Sequence, residues 1–244
     1  MCGRYVLAVE IDEIASLFNA TPTQAVEERY RPSWNIPPST DVVAVRTGDS
    51  GRVLDTYRWG LVPSWAEDPS IGNRFANARA ESVATKPSFR SAFRQHRVGI
   101  VAEGYLEWRT GPGKAKEPFY FQPRAGGLLV FAGLYETWCD PRSGADRQSP
   151  LRTCAIITTE ANEDVAMVHT RMPAILSPDV LDVWLDPEND DYDELEALLR
   201  PLPSGLLKFR RVDRRIGSVV NDDSTLLEST EAEPSVANEQ ASLF

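Results

Sequence analysis

The chain has 244 residues, 42% hydrophobic and 25% charged, with a formal net charge of −10. Those proportions belong to a folded globular protein, the length allows one sizeable core or two small ones, and the negative charge argues against a generally basic nucleic-acid binder. No apolar run approaches the roughly 20 residues of a membrane span and no charged-then-apolar signal peptide opens the chain, so a cytoplasmic protein without a membrane partner is expected.

The chain begins "MCGRY". Methionine aminopeptidase generally removes Met1 when the next side chain is small, and cysteine is small. Removal leaves Cys2 with a free α-amine beside its thiol, a 1,2-aminothiol that no internal cysteine can offer. "EIDEIASLFNA" then carries Ile11, Ile14, Leu17 and Phe18 on one helical stripe. "RPSWNIPPST" is proline-rich and reads as a shaped loop without regular structure. "DVVAVR" and "VLDTYRWG" read as strands around a glycine-containing turn. "LVPSWAEDPSIGNRFANARAES" reads as a long polar loop, of a length that is often functional or disordered.

Further on, "RVGIVAEGYLEWRT" reads as one strand, "GPGK" as a turn and "EPFYFQP" as the returning strand. "GLLVFAGLYETW" and "LRTCAIITT" are strands on either side of a loop that starts at Cys139, with Cys154 a buried small hydrophobe. Three cysteines cannot all pair and show no C-x-x-C spacing, so neither a disulfide framework nor a zinc site is expected. "ANEDVAMV" is a short helix ending at His169, "RMPAILS" is extended, "PDVLDVWL" and "YDELEALLR" are helical, and "LLKFRRVDRRI" closes as a strand. Successive strands with interspersed helices and no βαβ alternation predict an α+β fold with a mainly antiparallel sheet or barrel. From Asp222 onward six acids meet no Lys or Arg, leaving 30 acids against 22 Arg and 4 Lys in the body. Arg favours bidentate contacts to phosphate and carboxylate, so a local Arg-lined groove is compatible with this composition without following from it. The polar, aperiodic stretch beyond about 223 reads as a disordered tail.

Few side chains are equipped for acid–base chemistry. Of the two histidines, His96 sits among arginines and reads as structural, whereas His169 in "MVHTRMPAIL" has Arg171 beside it. Glu107 interrupts the aromatic segment "GYLEW". Alternation along a strand puts Tyr105 and Glu107 on one face, Leu106 and Trp108 on the other. Two readings of Glu107 stay open: an ion pair with one of the many arginines, or a carboxyl of raised pKa acting near neutrality. In "NARAES", Asn77 supplies an amide and Arg79 a phosphate fork, or both belong to a plain polar loop. No G-x-G-x-x-G, P-loop, H-E-x-x-H or G-x-S-x-G occurs, so nucleotide-binding, zinc-protease and serine-hydrolase readings lack support.

"MCGRY", "WNIPPST", "WGLVPSW", "NARAES", "GYLEW", "HTRMPAIL" and "GSVVNDD" follow one another in this order. That series resembles the SRAP family (SOS response-associated peptidase), whose members recognise abasic sites in single-stranded DNA and crosslink to them. The resemblance implies one SRAP-type domain over residues 1–223, an acidic tail over 224–244, a monomer and no cofactor or metal. It makes Cys2 the nucleophile, whose amine and thiol close a thiazolidine on the sugar aldehyde. It makes Glu107 the proton-transfer carboxylate, needed also for self-processing of the N-terminus; His169 the proton donor at the sugar ring oxygen; and Asn77 the residue orienting sugar and Cys2. Arg4, Arg79 and Arg171 are implied phosphate ligands, and Pro38, Trp65 and Trp108 base-stacking groups, with Trp108 as ordinary core the competing reading. Many relatives carry a second aromatic after Trp65; Ala66 here removes one stacking contact. Asn35 and Asn221 are implied supports.

The last residues, "QASLF", resemble the glutamine-led peptides that dock replication sliding clamps, with Gln240, Leu243 and Phe244 as anchors, or are a plain apolar ending. Two other functions stay open. An N-terminal-nucleophile hydrolase or amidotransferase also begins Cys-Gly, and a non-covalent single-stranded DNA module would use only the Arg and Trp residues.

Overall fold

The computed structural model describes residues 2–142 and 150–230. It is an α+β domain with two mainly antiparallel sheets. In the first half are strands β1 (Tyr5–Leu7), β2 (Ala20–Pro22), β3 (Ser33–Ile36), β4 (Asp41–Gly48), β5 (Gly51–Trp59) and β6 (Asn77–Arg79), with helices α1 (Ile11–Phe18), α2 (Gln24–Arg29) and α3 (Arg90–Gln95). Strands β7 (Arg97–Ala102), β8 (Gly104–Thr110), β9 (Lys116–Pro123), β10 (Leu129–Trp138) and β11 (Leu151–Glu160) form the middle. Helix α4 (Glu163–Ala166), strands β12 (Arg171–Pro173) and β13 (Ile175–Leu176), helices α5 (Leu181–Leu185) and α6 (Tyr192–Ala197) and strand β14 (Leu207–Arg211) complete it. Among the described residues no helix is long and apolar enough to cross a membrane.

One sheet has the order β14-β9-β8-β1-β3. The other runs β12-β11-β10-β7-β4-β5-β2, and β5 also pairs in parallel with β11 through Arg58↔Thr153 and Trp59↔Cys154. That pairing closes the circuit β4-β5-β11-β10-β7 into a five-stranded barrel. Its wall is why β7 and β10 are buried almost end to end rather than alternating. The principal core includes Tyr5, Trp59, Phe121, Phe131 and Trp184, all nearly inaccessible, and Cys154 is buried within it whereas Cys139 is exposed.

Three expectations are corrected. "RVGIVAEGYLEWRT" is two strands in different sheets, because the chain crosses between them at Glu103, whose N–H donates to Val6 O (2.8 Å) and whose carboxylate accepts from the Ala8 N–H. The proline-rich "RPSWNIPPST" contains β3, since its prolines flank four strand residues instead of interrupting them. The packed body also passes the expected boundary at 223: Ser224–Leu227 form a 3-10 turn that buries Leu226 against Val6, Leu106, Tyr120 and Ile216. Gln240, Leu243 and Phe244 lie outside the described residues.

The alternation expected along β8 is observed, with Tyr105 in the principal core and Leu106 and Trp108 in the smaller cluster. Gly104 starts this strand because nothing larger fits. A Cβ there would lie 2.3 Å from the Phe121 carbonyl oxygen and 2.6 Å from the Tyr120 ring. Backbone cannot rotate away, so β8 and β9 would have to separate. Gly104→Ala is expected to destabilise the domain by about 3 kcal/mol, read as a lower urea midpoint at unchanged m-value.

Candidate active site

Cys2 lies just ahead of β1 and is fully buried. Leu106 N–H donates to Arg4 O (2.9 Å), extending the β1–β8 pairing toward the N-terminus and bringing Cys2 to the strand that carries Glu107. Burial first, and the Glu107 carboxylate second, push the Cys2 thiol well above its ordinary range. It is therefore a neutral thiol at pH 7.

Asn77 comes from β6, a strand outside the sheet that carries Glu107. Strand β6 is held in parallel register by β11, Asn77 facing Ile156, and Trp59 Nε1–H donates to Ala76 O at 2.8 Å. This fixes the amide so that Asn77 Nδ2 donates to the Cys2 carbonyl at 2.8 Å. Part of the expected polar loop is thus an ordered strand, and that strand grips the N-terminus.

Glu107 is 3% exposed, and burial pushes its carboxyl up to about 7, opposed in part by the Trp108 N–H. His169 Nδ1 lies 3.9 Å from Glu107 Oε1, adjacent but beyond hydrogen-bond distance. The same Nδ1 sits 3.0 Å from the Arg171 N–H and 3.2 Å from the Arg171 carbonyl oxygen, so either tautomer of the neutral imidazole finds a partner there. Burial holds the imidazole below its ordinary pKa, so it is neutral at pH 7. The site therefore holds a thiol, an amide, a carboxyl that titrates near neutrality and a neutral imidazole. Four separate stretches of chain supply them. Among the described residues no arginine is paired with Glu107, and burial raises its carboxyl.

The remaining candidates are found in different states. Arg79 is exposed on β6, two residues beyond Asn77. Trp65 is 57% exposed, and Pro38 is half-buried in a loop tied down by Ser39 N–H to Trp59 O (2.7 Å). Arg171 is engaged, donating to both Glu81 oxygens at 2.6 and 3.0 Å and to Thr158 O. Arg4 is half-buried: its Nη1 donates to Asn35 Oδ1 (2.7 Å) and Ile216 O (3.2 Å), and its guanidinium lies 5.7 Å from the Trp108 ring centre. Trp108 thus backs onto core on one side and Arg4 on another. Ala66 is buried against Val62 and Trp138, so that position faces inward here. His96 packs on Tyr135 at 4.8 Å, on another part of the barrel.

One contributor was not assigned from the sequence, and Asn35, an implied support, acquires its partners only in the structure. Glu81, the last acid of "NARAES", anchors Arg171; its place inside a motif with Arg79 was the available signal. Asn35 is a hub: besides accepting from Arg4, its Nδ2 donates to Ile216 O, Ser218 O and Asn221 O at 3.2, 3.0 and 2.7 Å. It ties "WNIPPST" to "GSVVNDD" under the site, which explains why two motifs so far apart accompany each other.

Comparison with known proteins gives the family and the fold. The family described as SOS response associated peptidase (SRAP) matches residues 1–219. The abasic site processing protein YoqW of Bacillus subtilis is 38% identical over 229 residues, covering 94% of this chain and all of that protein. The abasic site processing protein HMCES of Gallus gallus is 34% identical over 226 residues, covering 80% of this chain and 66% of that one. A crystal structure of a Bacteroides thetaiotaomicron protein superposes with a TM-score of 0.84 at 24% identity, covering 94% of this chain and all of that one, which establishes the shared fold.

Proposed function

This chain belongs to the SOS response-associated peptidase (SRAP) family, and from that premise we propose that it captures abasic sites in single-stranded DNA through Cys2. The observation that carries the reading is the convergence on Cys2: Asn77 holds its carbonyl at 2.8 Å, and Glu107 stands beside it with His169 3.9 Å further on.

The chemistry starts once Met1 is gone, whether removed by an aminopeptidase or by the chain's own peptidase activity. His169 donates a ring proton to the sugar ring oxygen and opens the abasic sugar to its aldehyde. The Cys2 α-amine, with an ordinary pKa of about 8, adds to that carbon and water leaves, giving an imine. The thiol adds across the C=N bond; its sulfur bonds to carbon and its proton passes to nitrogen by way of Glu107. A carboxyl titrating at about 7 can both accept and return that proton at neutral pH. The ring removes the iminium that would drive β-elimination, so the strand stays intact. Arg79, Arg4 and Arg171 are the proposed phosphate ligands, Arg171 by exchanging Glu81 for phosphate. Trp65, Trp108 and Pro38 are the proposed contacts to bases.

Purified protein incubated with an abasic oligonucleotide is expected to give a heat-stable adduct on a denaturing gel. Its intact mass should equal protein without Met1 plus DNA minus one water. An intact mass that retains Met1, or no adduct from the processed protein, would overturn the reading.

A further inference from the structure

Glu117 gathers three guanidiniums. Arg109 donates to its Oε2 at 2.9 Å, while Arg211 and Arg214 approach its Oε1 at 3.8 and 4.0 Å. The side chains of Arg109, Arg211 and Arg214 are 47%, 37% and 68% exposed, against 12% for Glu117. One carboxylate cannot neutralise three cations, so a surplus of positive charge faces solvent on a chain whose net charge is −10. The neighbouring Asp213 is paired with Arg215 at 2.7 Å and offsets little of that surplus.

The register shows where this surplus points. Glu107 pairs with Phe119, and Phe119 with Arg211; the next same-face step from Glu107 pairs Arg109 with Glu117. Side chains two apart on a strand share a face and stand roughly 7 Å apart. Arg109 and Arg211 therefore extend the face that carries Glu107, toward the hairpin end where β8 turns into β9. Arg109 lies over the Phe119 ring, 4.7 Å from its centre, which holds its plane in place. Lys116 adds a further cation at this end of β9, and its charge adds a lesser push to the burial that lowers the His169 pKa.

Stability does not account for the cluster. Exposed ion pairs contribute about 0–1 kcal/mol each, and crowding three cations around one anion adds mutual repulsion. A polyanion does account for it, because guanidiniums fixed in place on one carboxylate are ready to accept phosphates. We infer that Arg109, Arg211 and Arg214, organised by Glu117, form a phosphate-binding rim that grips single-stranded DNA beside the pocket. The inference rests on the proposed DNA substrate, not on the covalent step.

The test uses a fluorescein-labelled single-stranded oligonucleotide without any lesion, followed by anisotropy over a range of KCl concentrations. Arg214→Gln is expected to weaken binding severalfold and to flatten the slope of log K against log salt by about 0.7 for the lost phosphate contact. Glu117→Gln, which removes the carboxylate shared by the three guanidiniums, is expected to tighten binding. Arg200→Gln, an exposed cation outside the cluster, should keep the wild-type slope. Wild-type affinity and slope in Arg214→Gln would overturn the rim. Because the oligonucleotide has no abasic site, this readout is independent of crosslinking. Lost adduct with an intact salt effect would sink only the covalent reading, and an intact adduct with no salt effect only the rim.

Discussion

Cys2→Ala is expected to lose the heat-stable adduct entirely while retaining one that borohydride can trap. Alanine is also small, so Met1 is still removed and a free α-amine still meets the aldehyde. An imine forms, but no sulfur closes the ring, and the imine either hydrolyses or lets the strand break by β-elimination. Borohydride reduces the C=N bond and freezes what remains. Cleaved oligonucleotide should therefore accumulate with Cys2→Ala and be scarce with wild type. Replacing this fully buried thiol leaves a small void costing about 1–2 kcal/mol, a fraction of a domain's usual 5–15 kcal/mol or so. A gel comparison with and without borohydride, with a thermal melt alongside, separates lost chemistry from lost fold. An undiminished heat-stable adduct from Cys2→Ala would end the aminothiol mechanism.

Glu107→Gln is expected to slow adduct formation by roughly 10²–10⁴-fold and to make the domain more stable near neutral pH. Both follow from one buried carboxyl pushed up to about 7. Wild-type rates should rise as pH passes through about 7, where the carboxylate able to take the thiol proton appears. His169, held below its ordinary value, contributes its own titration at lower pH. The glutamine variant should lack the limb near 7. The stability effect has a definite sign. Below the ordinary carboxyl value of 4.5 the group is neutral whether the chain is folded or not, and costs nothing. Between 4.5 and about 7 the unfolded chain releases the proton while the folded chain keeps it, so stability falls as pH rises. Above about 7 the full cost is present. Glutamine, of nearly the same shape, escapes it, by an order-of-magnitude 1–3 kcal/mol. Urea unfolding at pH 5 and pH 8 should show the variant's advantage growing with pH. A variant that crosslinks at close to the wild-type rate would remove Glu107 from the mechanism, and equal stability at pH 8 would contradict its burial as an ionised group. Such a cost, kept at a working site, is the usual trade between stability and activity.

The legibility of the site differed from residue to residue. Cys2 was visible because its position behind Met1 is itself chemical information. Glu107 was half-visible: alternation gave the face it shares with Tyr105, but not whether an arginine lay across from it. His169 and Asn77, taken alone, looked like ordinary polar residues at a helix end and in a loop. What raised them was the ordered series of motifs, not spacing. Arg171 was legible as a cation beside the site, but its bidentate grip on Glu81 was not, because the two are 90 positions apart in sequence.

Local chemistry, which the sequence carries by itself, determined the amphipathic α1, the strands β4, β5, β10 and β11, the buried Cys154, and a cysteine directly behind Met1. Each depends on a period of two or 3.6 residues, or on a single position, and such signals need no partner to be read. Only the tertiary structure decided that one apolar run is split between two sheets at Glu103, that β5 returns to β11 to close the barrel, that Asn35 ties two remote motifs together, and that three arginines share Glu117. Those outcomes depend on which strands pair and in what register. Register joins residues tens of positions apart through backbone hydrogen bonds that every residue except proline can form.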